Sequence, residues 1–194
     1  MFRTTDKDYL KVFKKLRGYF GEQNLAIGGS YVYSKELEIE WNHKDIDIFF
    51  LMPRMESWAL VNILNLIFDV VAVFPTDTPE QLNHKDKYYK INRQWKRIMA
   101  YKDGMTYDLI FVDDNIDNLI IDNTGSDISR LYYQITYRVK TLQLSTHSTV
   151  ALRRLEAGTC WVYPNMCTID YLNKIEKLCV QLKLEKVLEH ISTF

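Results

Sequence analysis

The chain has 194 residues, 47% apolar and 13% aromatic, which is enough for one hydrophobic core and one domain with a small appendage. Its 25 basic and 25 acidic residues cancel, which excludes a global field drawing in nucleic acid and leaves any such contact to a local patch. Cys160, Cys167 and Cys179 are odd in number and lack zinc-ligand spacing, there is no signal peptide after Met1, and no apolar run reaches transmembrane length, so the expected setting is the cytoplasm, with reduced thiols and no membrane.

From Thr5 to Phe20, apolar residues fall at Tyr9, Leu10, Val12, Phe13, Leu16, Tyr19 and Phe20. This is helical spacing, with Thr5 as N-cap and Gly21 as the stop. Leu25-Ala26-Ile27 reads as a short buried strand feeding the Gly28-Gly29-Ser30 turn, and Ser30 to Leu37 begins a short helix. Ile46 to Leu51 is the next strand, Met55 to Asp69 a second helix, and Val70 to Phe74 a strand closed by Pro75. Three further strands are expected near Tyr88–Ile91, Trp95–Tyr101 and Thr106–Val112, with shorter extended or mixed segments at Leu119–Ile121 and Asp127–Tyr133. From Ala151 the chain turns helical, with an amphipathic stretch from Asp170 to His190. Pro164-Asn165 marks the expected seam between an α/β core over residues 1–163 and a C-terminal helical extension over residues 164–194 packed on it.

Two aspartates one residue apart, Asp45-Ile46-Asp47, open the apolar run ending Phe49-Phe50-Leu51. Alternate residues of a strand share a face, so Asp45 and Asp47 stand side by side. Carboxylates held that close repel unless a cation sits between them. The Gly28-Gly29-Ser30 turn adds a small-residue backbone able to approach phosphate closely. Together these residues point to metal-bound phosphate chemistry. Asp108 is a third acid in a strand, flanked by Tyr107 and Leu109. If its strand neighbours that of Asp45 and Asp47, the three carboxylates converge at one edge. They then suit a two-metal nucleotidyl transfer, with Asp108 completing the metal shell and taking the proton of the attacking hydroxyl. Magnesium suits such a donor set, with manganese as a substitute. Asp113 and Asp114 read as strand-end caps, Asp127 as a turn cap, and His43 as a solvated loop residue.

Charge is segregated along the chain. Lys85 to Lys102 holds seven basic residues against the single acid Asp86, interleaved with Tyr88, Tyr89, Trp95 and Tyr101, whereas Asp103 to Asp127 has seven aspartates and no lysine or arginine. The first segment can hold a nucleic-acid backbone and stack bases, with Lys90, Arg93, Lys96 and Arg97 as the contacts, or it can form a solvated hairpin with charged faces.

The order of these pieces resembles the polymerase β-like nucleotidyltransferase superfamily. Within it, the catalytic head of CCA-adding and poly(A) polymerases, including small stand-alone phage versions, is the most similar. Leu25-Ala26-Ile27-Gly28-Gly29-Ser30 resembles the family's strand and turn, Lys44-Asp45-Ile46-Asp47-Ile48-Phe49 its metal motif, and Tyr107-Asp108-Leu109-Ile110 its third-acid strand. Ser126-Asp127-Ile128-Ser129-Arg130-Leu131 is a weaker match to the Arg-Asp-Phe-Thr-Ile-Asn stretch of that head, and the resemblance covers residues 22–135. It implies an α+β fold, a nucleotidyltransferase-type mixed sheet flanked by helices with a small C-terminal helical extension. It also implies a magnesium-dependent enzyme moving a nucleoside monophosphate from an NTP such as ATP to an acceptor hydroxyl, an RNA 3′ end being favoured. Asp45, Asp47 and Asp108 would then be catalytic and metal-binding, and Gly28, Gly29 and Ser30 would hold the triphosphate. Two departures stand out. Tyr31-Val32-Tyr33-Ser34 carries no basic residue where the family has an Arg-Asp pair, and no Glu-Asp-x-x-Arg base-selecting helix is present. Base and acceptor therefore stay open, and a protein-modifying toxin-type enzyme or a vestigial nucleotide- or host-factor-binding domain remain alternatives. A phage-encoded chain would act in the host cytoplasm.

Overall fold

The computed structural model describes residues 6–21, 25–40, 45–51, 55–73, 96–112, 116, 124–135 and 142–189. Helix α1 (Asp6–Phe20) buries Val12, Phe13, Leu16 and Phe20, a one-sided helical stripe, and stops at Gly21, whose φ of +84° glycine adopts without strain. Strand β1 (Leu25–Gly28) leads directly into α2 (Gly29–Glu36), followed by β2 (Asp45–Leu51), α3 (Ser57–Ile67) and β3 (Val70–Val73). Strands β4 (Lys96–Lys102) and β5 (Met105–Val112) form a hairpin, and with the short β6 (Tyr133–Ile135) and β7 (Leu142–Leu144) the described residues form a sheet of seven strands. Its order is β3-β4-β5-β2-β1-β6-β7. The β2–β5 pair is parallel and the other neighbours are antiparallel, so the sheet is mixed.

Period-2 alternation explains which residues face the core. Ile46, Ile48 and Phe50 of β2 and Tyr107, Leu109 and Phe111 of β5 all enter one large cluster with α1, α2 and α3. Phe50 stacks on Phe111 with ring centroids 5.0 Å apart and meets Phe20 edge-on at 5.4 Å. The opposite face of the sheet carries a smaller cluster of Ala26, Phe49, Ile116 and Tyr132. The strands expected near Tyr88–Ile91 and Leu119–Ile121 lie outside the described residues. Asp127–Tyr133 is a turn that runs into β6.

Beyond the sheet come α4 (Thr146–Glu156), β8 (Thr159–Val162), a 3₁₀ turn (Pro164–Met166), α5 (Ile169–Leu182) and β9 (Glu185–Leu188). Ser145 caps α4 by accepting from the Ser148 amide, and Thr168 caps α5 by accepting from that of Tyr171. The helical spacing of Asp170 to His190 runs further than the helix does. Lys183 takes the left-handed conformation at φ 55°, the chain reverses, and Glu185–Leu188 pair in parallel with Thr159–Val162. Leu184, Val187 and Leu188 therefore extend the fold as a loop and strand. Ile175 and Cys179 of α5 belong to the same cluster as the sheet. Burial pushes the Cys160, Cys167 and Cys179 thiols up, Cys167 to about 11, so all three stay protonated at neutral pH. No helix among the described residues is long and apolar enough to cross a membrane.

The turn before β6 is tied to this C-terminal layer by a buried ion pair. Asp127 is fully buried; it accepts from Arg154 Nη2 of α4 at 2.6 Å and from the Trp161 amide of β8 at 3.0 Å. The Arg154 guanidinium also lies over the Trp161 ring, 4.4 Å from its centroid. Burial pushes the Asp127 carboxyl up, against the downward pull of the Trp161 amide and Arg154. Arg154→Ala leaves that carboxylate buried without its cation, and the expected cost is about 3–5 kcal/mol, read as a lower urea midpoint at unchanged slope. A folded-state value above the ordinary 3.8 means that, only at pH between 3.8 and that value, the folded chain holds a proton the unfolded chain has released. The contribution of Asp127 is therefore largest below pH 3.8 and shrinks as pH rises through the folded value, and Asp127→Asn should flatten that slope.

Candidate active site

The three acids and the glycine turn meet at one end of the sheet because of how β1, β2 and β5 align. Gly28 lies opposite Asp47 in the antiparallel β1–β2 pair, and Asp47 lies opposite Asp108 in the parallel β2–β5 pair. Gly28, Asp47 and Asp108 thus form one row across three neighbouring strands, each about 4.8 Å from the next. Asp45, one side-chain repeat further out, is level with Thr106. The residues between the acids, Ile46, Ile48, Tyr107 and Leu109, point into the main core, which turns Asp45, Asp47 and Asp108 to the opposite face. Asp45 and Asp47 are half-buried there, and Asp108 is buried at 7% exposure. Phe49 and Tyr132 form an apolar floor on the same face.

The turn fits around Asp47. Gly29 has φ +72°, and a Cβ on it would fall 1.8 Å from Asp47 Oδ2, so the carboxylate occupies the space a side chain would take. Gly28 is similarly hemmed in, its Cβ position lying 2.9 Å from Phe49 Cε2. Helix α2 starts after Gly28 with no side-chain cap, and the Asp47 carboxylate lies beside its first turn. An anionic ligand bound here would share the helix start with Asp47, an arrangement of two anions that a cation between them relieves.

Carboxylates without thiol or imidazole suit magnesium. Register and face fit such an ion, with Asp47 and Asp108 side by side and Asp45 beside them. Among the described residues, however, no three acidic, histidine or cysteine side chains are already drawn into a metal-ligating group. Asp127, in the weaker motif match, is engaged with Arg154 and Trp161 and belongs to the scaffold. Of the basic segment, Lys90 and Arg93 lie outside the described residues. Lys96 and Arg97 open β4, and Lys102 at its end pairs with Asp69 at 3.8 Å. His43 also falls outside.

Sequence reading missed the hydroxyl and cation network behind the turn. Ser148 is fully buried, accepts from the Tyr132 amide at 2.9 Å and donates to the Arg130 carbonyl at 2.7 Å. Tyr133 on β6 donates to Glu36 at the end of α2. The isolated serines and single acids involved leave no spacing signal in the chain.

No protein-family profile and no curated protein matches the sequence. Solved structures match in three dimensions, and the class they define is the α+β nucleotidyltransferase fold. CCA-adding enzymes and a tRNA-processing enzyme are among the solved structures that share it. A CCA-adding enzyme in complex with CTP aligns over 90% of this chain and 37% of its own, at TM-score 0.53 and 16% identity. The Thermotoga maritima CCA-adding enzyme complexed with tRNA aligns over 98% and 41%, at 0.56 and 14%. A tRNA-processing enzyme without ligand aligns over 96% and 45%, at 0.58 and 12%. At these identities the likeness establishes the fold, and the chain spans about two-fifths of the length of the structures it matches.

Proposed function

We propose that the chain is a magnesium-dependent nucleotidyltransferase that moves a nucleoside monophosphate from an NTP to an acceptor hydroxyl, with an RNA 3′ end as the favoured acceptor. The observation that carries this reading is the row Gly28–Asp47–Asp108, with the Asp47 carboxylate lodged in the space left by Gly29. Gly28, Gly29 and Ser30 would hold the triphosphate at the start of α2. Asp45, Asp47 and Asp108 would hold the metal, which supplies positive charge to the phosphate oxygens and lowers the pKa of the attacking hydroxyl. The acceptor oxygen bonds to the α-phosphorus, the bond to the β-phosphate oxygen breaks, and pyrophosphate leaves. Asp108, buried and level with Asp47, takes the hydroxyl proton. Residues 1–163 would form the catalytic unit and residues 164–194 an extension packed on it, and the place of Ile175 and Cys179 in the sheet's core cluster supports that packing.

RNA is favoured by the basic-aromatic run Lys85 to Lys102 and by a structural neighbour complexed with tRNA. A second reading, a vestigial domain that binds a nucleotide without transferring it, draws on the three acids not being pre-assembled as metal ligands. One screen separates the two. The protein is incubated with each labelled NTP, magnesium or manganese, and total RNA or lysate. Label on RNA is the expected result, and label on protein reassigns the acceptor. A thermal shift with NTP and magnesium but no labelled product under any condition leaves the binding reading.

A further inference from the structure

Resting on the transfer reading, we propose that Arg130 is the cation that grips the polyphosphate of the incoming NTP, delivered to the glycine turn from a separate loop. The turn has no cation of its own, since Gly28-Gly29-Ser30 runs on into Tyr31-Val32-Tyr33-Ser34. The sheet brings one alongside. Strand β6 flanks β1 with Ile27 opposite Tyr133, while Ile27 and Gly28 face Ile48 and Asp47 on the other side. One residue out from Tyr133, Tyr132 comes level with Gly28, and its packing against Ala26 and Phe49 puts it on the acid-bearing face. Arg130, two residues earlier in the chain, closes the turn that leads into Tyr132. That turn therefore enters the sheet from the end where Asp45 extends beyond Asp47 and Ser30 beyond Gly28.

Arg130 is also held in place. Its guanidinium lies over the Tyr163 ring, 4.1 Å from the centroid, with Nε donating to Thr124 Oγ1 at 3.1 Å and Nη1 donating to the Tyr163 hydroxyl at 2.9 Å. Its amide donates to the Ser126 and Asp127 carbonyls, and its carbonyl accepts from Ser148. A planar fork fixed in this way loses little side-chain freedom when it meets phosphate, and its geometry matches two phosphate oxygens. The half-buried setting strengthens the attraction relative to a solvated lysine. A purely structural arginine would share the stacking and the hydroxyl bonds but would be indifferent to how many phosphates the ligand carries.

That difference is the test. The full chain is titrated calorimetrically with the four NTPs in magnesium, and the tightest binder is then compared with its di- and monophosphate. Wild type should lose affinity stepwise as phosphates are removed. Arg130→Ala should bind the triphosphate about 10- to 100-fold more weakly, with monophosphate affinity unchanged. Arg130→Lys should recover part of the loss. Tyr163→Phe, which keeps the ring and the charge but releases Nη1, should fall between. If Arg130→Ala does not fold, the lysine and phenylalanine variants carry the same comparison. Equal losses for tri- and monophosphate, or no loss at all, overturn the proposal and leave the transfer reading standing. A wild type that binds no NTP overturns both.

Discussion

Asp47→Asn is expected to abolish labelling of acceptor by NTP, with a fall of about 10³-fold or more. The substitution keeps the shape of the side chain and its place against Gly29, so the sheet should melt within a few degrees of wild type. It removes the negative charge at the centre of the Gly28–Asp47–Asp108 row. Charge stabilisation at a bound metal accounts for several kcal/mol of the barrier in reactions of this kind, and each 1.4 kcal/mol is tenfold in rate. Asp45→Asn/Asp47→Asn should leave no activity at all. Asp108→Asn should leave some NTP binding, because its larger part is to receive the hydroxyl proton, and should weaken the thermal shift given by magnesium and NTP. A double variant that labels acceptor as well as wild type would remove these acids from the chemistry.

Gly29→Ala should be nearly as damaging to activity by a different route. The added methyl would sit 1.8 Å from Asp47 Oδ2, closer than any real contact, at a φ of +72° that alanine adopts only at a cost of roughly 1–2 kcal/mol. The carboxylate has to swing out of the row, or α2 has to shift from the end of β1. Melting temperature should fall by about 3–8 °C for a chain of this size, and NTP binding and transfer should fall with it. Gly28→Ala is the control. Its φ of −131° suits any residue, and its methyl meets the edge of the Phe49 ring at 2.9 Å, where a small ring displacement relieves the contact. It should keep more activity than Gly29→Ala, since the Asp47 carboxylate stays in place. Gly28→Ala and Gly29→Ala with equal activity would show that the Asp47–turn contact is not used in the reaction.

The fold class and the candidate residues could be read from the chain because each is encoded locally. The apolar run ending Phe49-Phe50-Leu51, with acids at the alternate positions Asp45 and Asp47, fixes a strand with two acids on one face, and Leu25-Ala26-Ile27 ahead of two glycines fixes a buried strand entering a turn. The β-rich run Thr106–Val112 around Asp108 supplies the third acid. What could not be read is what lies between these elements. Nothing in the sequence says that β5 joins β2 in parallel register with Asp47 opposite Asp108, since pairing across such a separation depends on the whole sheet. The end of α5 escaped for a local reason, a left-handed Lys183 that the leucine spacing on either side conceals. Asp127 read as a turn cap because its partner Arg154 lies in a helix 27 residues away. Arg130 entered only as part of the weaker motif match Ser126–Leu131, because its place relative to the glycine turn depends on the β1–β6 ladder.

The parallel β2–β5 pair also bears on when the candidate site comes together during folding. Asp47 and Asp108 are about sixty residues apart in sequence and become neighbours only when that ladder closes. Parallel pairing over so long a loop forms late, after hairpins such as β4–β5 and helices such as α1 have formed from local contacts. A partly folded chain can therefore hold most of its secondary structure while its carboxylates remain far apart. On the proposed transfer function, catalytic competence would return as one of the last properties on refolding, and an emerging polypeptide would remain inert toward nucleotide until β5 had left the ribosome.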